Sequence, residues 1–259
     1  EQGRVDEAEP ALATLEDIGA ALACEYPTAL RQCLGAKVLM KRRLIDEGLA
    51  ASEAGLAFKE TTRLGTLMLG LYSIRTRLLV MAGDLEAAEA TLARAAAVKA
   101  RMNVAPCYLS EFLLASLSVD LHRIGAALAA GKAADARTRL KQAMATASAA
   151  VHNSRRVASD QVEALRLLGC CHNYAGNRRR AEHAWRRSKA AGERLGARIE
   201  LARTEAEIGR HLLRSAGATG ALDGVSGRQY IDRARTTFRG MSLEWDLETL
   251  DRPGSGAGG

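Results

Sequence analysis

The stretch Leu168-Gly169-Cys170-Cys171-His172-Asn173-Tyr174-Ala175-Gly176-Asn177-Arg178-Arg179-Arg180-Ala181-Glu182-His183-Ala184-Trp185 decides the fold. Gly176 is free to take the left-handed conformation that closes a helix. Asn177, directly after it, offers a side-chain oxygen to cap the next helix. Ala181, five residues past the glycine, is small enough for two helices to approach closely. Trp185, nine residues past it, is bulky and apolar and shares a helical face with Ala181, because four residues is close to one turn. The stretch therefore predicts a helix-turn-helix hairpin with a small contact point and a large core plug.

The same spacing recurs. Gly83-Asp84 is followed by Ala88 and Leu92, Gly131 by Ala136 and Leu140, and Gly3 by Ala8 and Leu12. Two copies are degenerate: Ala234 and Phe238 follow Gln229 in place of a glycine, and Ile45, Ala50 and Ala54 form another, aligned through Leu64-Gly65 matching Leu195-Gly196. Copies separated by roughly 40 to 55 residues mark a helical repeat array. Composition agrees, since alanine, leucine and arginine dominate and only four prolines interrupt 259 residues. A hydrophobic share of 47% suffices for a core once neighbouring hairpins stack. The expected fold is all-α, an α-solenoid of antiparallel helix hairpins with five to six units over residues 1–251. A Gly-rich tail, expected to be disordered, follows over 252–259.

Along the chain, helices are expected over residues 24–43, 44–63, 66–82, 85–102, 108–130, 133–151, 157–175, 178–195, 198–215 and 230–240. Pro10 is expected to kink or shorten the helix of the first half repeat, and Pro27 to mark a break. Residues 217–227 hold four glycines and read as a loop.

On Leu168-Gly169, Gly176, Ala181 and Trp185 the chain resembles a tetratricopeptide repeat. It departs from that pattern in three ways. Glu193 stands where the terminal proline belongs, Arg75-Thr76 and Arg123-Ile124 replace Leu-Gly in the two preceding hairpins, and the period exceeds the usual ~34 residues. Long, degenerate repeats of this kind are similar to the C-terminal helical region of large bacterial signalling ATPases. There the region follows a P-loop ATPase module, often joined to a nucleotide cyclase, a protein kinase or a DNA-binding domain. The closing run from Ala234 to Met241 is similar to the last repeat of such regions. The resemblance implies that the first helix of each pair lines an inner groove. In the clearest repeat Glu163, Arg166, Cys170, Asn173 and Tyr174 match its groove-facing positions. It also implies a non-catalytic module that binds a protein or a neighbouring domain in the bacterial cytoplasm. A sensor groove for a small ligand and the repeat region of a transcription regulator are the alternatives.

Gly65 and Gly70 have the spacing of a phosphate loop, but Leu71 and Tyr72 follow where Lys and Ser or Thr are required. Cys170, Cys171, His172 and His183 suggest a metal cluster, yet adjacent cysteines on a helix point about 100° apart and no second pair has zinc spacing. No serine sits on a strand-turn-helix elbow, and the five histidines are scattered over helices. Neither cofactor nor metal is therefore expected, and no catalysis by this chain. The five cysteines, odd in number and without framework spacing, fit a reducing compartment. No signal peptide and no apolar run of ~20 residues is read, so no membrane association is expected. The chain begins without Met, with its first turn glycine already at Gly3, so a fragment of a longer chain is expected.

The net charge of +7 is uneven. Residues 1–25 hold seven acids against Arg4. Arg178, Arg179, Arg180, Arg186 and Arg187 form the core of a later basic block. Three arginines in the first turn of a helix oppose the macrodipole, which makes them a poor purely structural choice. They are read as a solvated surface first, a protein contact second and a nucleic-acid contact last.

The register makes a testable statement about Ala181. Ala181→Leu is expected to overpack the helix crossing and to destabilise the protein by about 1–3 kcal/mol. An unchanged thermal melt would refute the register.

Overall fold

The computed structural model describes residues 7–22, 25–57, 65–216 and 220–251, and it is almost entirely helical. The helices are α1 (Ala8–Leu22), α2 (Glu25–Arg42), α3 (Ile45–Ala57), α4 (Gly65–Ala82), α5 (Leu85–Lys99) and α6 (Pro106–Ala129), followed by α7 (Ala133–Asn153), α8 (Gln161–Tyr174), α9 (Arg178–Leu195), α10 (Arg198–Ala216), α11 (Gly227–Gly240) and α12 (Glu244–Asp251). Two short antiparallel strands, β1 (Ala221–Leu222) and β2 (Val225–Ser226), lie before α11. The turn at Gly3, Cys24, Leu64 and the tail 252–259 lie outside the described residues.

The chain divides into two compact units, with the division inside α6 between Val119 and Asp120. In the first unit Ala29, Cys33, Ala36 and Met40 of α2 pack with Leu67, Leu71, Ile74 and Leu78 of α4. Gly48 and Gly55 let α3 lie close: a Cβ on either would stand 2.9 Å from a methyl of Leu78 or Leu71. Leu69, Tyr72 and Ala95 form a second cluster, against which Tyr108 and Phe112 of α6 pack.

In the second unit α8 and α9 form the hairpin that the opening stretch predicts. Gly176 is left-handed, with φ 71°, and Asn177 Oδ1 accepts from the N–H of Arg180. Ala181 is fully buried. Trp185 is 1% exposed, and its indole N–H donates to the carbonyl of Arg166 at 3.1 Å, so the buried ring leaves no polar atom unsatisfied. The ring occupies the space above Gly169, where a Cβ would collide with the indole, and lies 5.1 Å from the His211 ring of α10. Leu-Gly is thus needed where the plug is tryptophan, and the hairpins plugged by Leu92 and Leu140 do without it. Those leucines are half-buried, while Phe238 is fully buried like Trp185. Leu201 packs on Gly192.

The turn geometry recurs more widely than its glycines. At Gly176 the glycine N–H donates to Asn173 O, Asn177 N–H to His172 O, and Ala181 N–H to Asn177 O. The same three bonds occur at Gly83, Gly131 and Gly196, and also at Arg43 and Ser242, whose φ values are 62° and 50°.

Arg43 therefore corrects the degenerate copy placed at Ile45, Ala50 and Ala54. Counting from Arg43, the small buried residues are Gly48 and Ser52, whereas Ala50 and Ala54 are exposed. Gln229 is corrected as well. It is no turn residue: its side chain accepts from the N–H of Ser226, whose hydroxyl in turn accepts from the Gln229 N–H, a capping box that starts α11. The expected loop before it contains the strand pair, turned by Asp223 and Gly224, both at positive φ. Pro10 and Pro27 fall in the first turns of α1 and α2, where a missing N–H is harmless, so neither breaks a helix. α12 was not anticipated. By length and composition α6 is long and apolar enough to cross a membrane, contrary to the expected absence of such a run. Its charged positions, Glu111 and Asp120 among them, masked it, and both of those are buried.

Gly169→Ala is expected to force the indole out of its seat and to destabilise the second unit by about 1–3 kcal/mol. Tryptophan fluorescence during chemical denaturation reads this directly, and an unshifted midpoint would contradict the packing.

Candidate functional site

The second unit carries a buried polar seam between α8, α10 and α12. Arg166 on α8 is 1% exposed, and its Nη2 lies 3.3 Å from Glu163 Oε1 and 3.5 Å from Glu200 Oε2. Glu200 also pairs with Arg203, one turn along α10, at 3.0 Å. Arg203 then makes two parallel bonds to Asp246 of α12, Nε to Oδ1 at 2.9 Å and Nη2 to Oδ2 at 2.8 Å. Further along α10, Arg210 pairs with Glu207 at 3.1 Å and donates to the backbone carbonyl of Thr249 at the same distance. Cys170 Sγ lies 3.9 Å from Glu207 Oε2.

Sequence spacing explains the layout. Glu163 and Arg166 are three apart on α8, as are Glu200 and Arg203, and Glu207 and Arg210, on α10. Each pair therefore shares a helix face. Placing these faces together gives alternating charges, and alternation is what allows so many ions to be buried. Burial alone would weaken the charge on Arg166 and Arg203, but Glu200 and Glu163 outweigh it for Arg166, and Asp246 and Glu200 for Arg203, so both guanidinium pKa values are raised. For Cys170 burial and the neighbouring Glu207 act together and push the thiol well above its ordinary value. Burial likewise holds the Cys171 thiol up, at about 12. Neither sulfur is a ready nucleophile.

Of the five positions assigned to the groove, Glu163, Arg166 and Cys170 are buried in this seam, so they meet the chain's own α10 and not solvent. Asn173 and Tyr174 are half-buried and closer to the surface. Burial foremost pushes the Tyr174 phenol to about 12. The partners of the seam, Glu200, Arg203, Glu207, Arg210 and Asp246, were missed by spacing alone, because each pairs with a residue on another helix.

The basic block lies on the outer face of α9. Arg178, Arg179, Arg180, Arg186 and Arg187 are all exposed. Arg178 pairs with Glu182 at 2.7 Å, and Arg186 reaches Asp223 at the tip of the strand pair, also at 2.7 Å. Cys170 and Cys171 are buried, His172 is half-buried and His183 exposed, and no cluster of metal-ligating side chains occurs among the described residues. Gly65 opens α4 and Gly70 lies inside it, against Cys33 and Tyr108, so the phosphate-loop spacing falls on a helix.

In the first unit a cavity of about 390 Å³ is lined by Glu53, Tyr72, Arg75, Thr91 and Arg94 together with alanines and Leu56 of α3. Arg75 is held there by Glu53 at 2.8 Å and by the carbonyl of Leu49. A second buried cluster joins Lys37, Glu111 and Arg77, with Lys37 Nζ 2.7 Å from Glu111 Oε1 and Arg77 Nη1 3.6 Å from Oε2.

Comparison with protein-family models matches no family, and comparison with curated proteins finds no match.

Glu111 gives the first unit a defined acid sensitivity. Burial would raise its pKa, but Lys37 foremost and Arg77 next outweigh burial and hold the carboxyl below its usual value. The unfolded chain therefore binds the proton more tightly. The stabilisation is complete above the ordinary glutamate pKa of about 4.3 and is lost as pH falls through the lower folded value. Melting followed from about pH 7 to pH 3 should show this loss, and Glu111→Gln should lower stability at neutral pH while flattening the acid limb. An acid limb identical in both proteins would refute the assignment.

Proposed function

We propose that the chain is a helical-repeat docking module of tetratricopeptide type, binding a protein or a neighbouring domain and not catalysing a reaction. The observation that supports this reading is the recurrence of one turn at Arg43, Gly83, Gly131 and Gly176. At each, the residue five further on is small and buried: Gly48, Ala88, Ala136 and Ala181. A single hairpin cannot bury its apolar face, so units of this kind stack and present extended surfaces. On this reading the array is an α-solenoid belonging to a cytoplasmic bacterial signalling protein, and it biases the state of an attached effector module. The exposed arginines of α9 and the rim at Asn173 and Tyr174 are the two surfaces it offers. A second reading, a sensor for a small ligand, is favoured by the cavity beside Arg75 and Arg94, whose volume falls in the range of small-molecule sites.

A photo-crosslinking residue placed at Tyr174 and, separately, at Arg187 tests the proposal in the cells that make the protein. Docking predicts a discrete protein adduct from one position, abolished by Arg179→Glu with Arg187→Glu if the outer face is used. The absence of a discrete adduct from both positions would overturn it.

A further inference from the structure

We propose that α12 is a built-in occupant of a docking site on α10, and that the site takes an acidic amphipathic helix from a protein partner once α12 leaves.

Three observations carry this. First, α12 has the composition of a ligand. It runs Glu244-Trp245-Asp246-Leu247-Glu248-Thr249-Leu250-Asp251, with four acids and no base. Second, it docks through its polar side. Within the helix the fully buried positions are Asp246 and Thr249, while Trp245, Leu247 and Leu250 are half-buried, and the apolar anchor, Leu243, precedes it. A helix that belonged to the core would do the reverse. Third, the contact has the form of recognition. Arg203 grips the Asp246 carboxylate with two parallel bonds, and one turn later Arg210 donates to the Thr249 carbonyl. A paired guanidinium–carboxylate fork fixes orientation as well as charge.

The attachment is suited to release. Eight residues are too few for a helix that stands alone, so α12 is held by its docking contacts. It is joined to α11 by a tight turn in which Ser242 sits at φ 50°, a conformation that costs a non-glycine residue energy. The same turn lays α12 along α11 with Asp246 and Thr249 within reach of Arg203 and Arg210 of α10, and this tethering gives it a high effective concentration over any competitor. Removing α12 leaves Arg203 paired with Glu200 and Arg210 with Glu207, so the arginines stay ordered and directed at the vacated site. The matching partner is a helix presenting an aspartate and, three residues on, a backbone carbonyl accessible to an arginine.

The inference rests on the docking reading, and it is tested separately from it. The full chain is compared with its Asp246→Lys variant, in which a like charge faces Arg203. The probe is a capped synthetic peptide of residues 242–251, followed by fluorescence anisotropy, and hydrogen exchange is measured on both proteins. The variant is expected to lose protection in α12 alone, with α10 and α11 unchanged. It is also expected to bind the peptide at least about thirtyfold more tightly than the natural chain, the low end for restoring one partner of a buried charge pair. A peptide carrying Asp246→Lys should not bind. Loss of protection throughout α10 and α11 would show α12 to be part of the core, and equal peptide binding by the two proteins would show that no site is uncovered. Either result overturns the inference and leaves the crosslinking test of docking intact.

Discussion

The left-handed residue that ends a helix and begins the next is the constraint on which the rest of the structure depends. A helix leaves its last carbonyls without partners, and one residue at positive φ lets the two following N–H groups turn back and satisfy them. At Gly83 these bonds run from Gly83 to Val80 and from Asp84 to Leu79. Asp84 then caps the next helix, accepting from the Ala87 N–H. One dipeptide thus closes one helix and opens another, and the chain reverses over so short a connection that α4 and α5 must pack side by side. At Arg43, Gly83, Gly131 and Gly176 the residue five past the turn is buried at the crossing and is glycine or alanine, whereas after Gly196 and Ser242 the same position is a half-buried leucine. Local backbone chemistry in this way dictates which positions are small, and the small positions in turn set how closely the helices approach.

The polar seam of the second unit follows from the same geometry with opposite composition. α9 gives its apolar side, Ala181, Ala184 and Trp185, to the hairpin. α8 and α10 meet partly through charges, and these survive burial because acids and arginines alternate from Glu163 to Asp246. Ser188 of α9 ties the layers together, donating to the Val162 carbonyl at 2.8 Å while its oxygen lies 2.9 Å from the Thr204 hydroxyl. Substituting an inner ion such as Glu200, which bridges Arg166 and Arg203, strands both neighbours, whereas Arg203 at the outer end keeps Glu200 when Asp246 is withdrawn. Specific pairing, beyond apolar burial, therefore fixes the register of α10 against α8.

Legibility in the sequence tracked how local each signal is. Gly83, Gly131 and Gly176 were readable because glycine is the residue type that a left-handed turn favours. Arg43 and Ser242 adopt the same conformation with residue types that announce nothing, and the hairpin after Arg43 was accordingly read two residues out of register. α12 was invisible for a related reason: its buried stripe is Asp246 and Thr249, so it lacks the apolar period by which helices are recognised. The family resemblance put Glu163, Arg166 and Cys170 on one face of α8, and all three are buried. What that face meets is written 34 to 37 residues away, at Glu200 and Glu207. Such long-range pairing has no local mark, so positions read as an open groove are in fact an internal contact.

The two kinds of surface in the second unit also differ in what each can do for binding. The α9 arginines project into water, where each ion pair is worth little and is screened by salt. A partner held there alone would be attracted quickly and released quickly, with little discrimination. The face of α10 is already desolvated and ordered by its own acids, so the entropy of fixing Arg203 and Arg210 is spent during folding and not on binding. A carboxylate that reaches Arg203 meets a preformed fork, as Asp246 does, and one displaced by an ångström leaves the guanidinium buried without its second bond. On the proposed docking reading, steering by the outer face of α9 and selection by the face of α10 would be separable tasks, carried by successive helices.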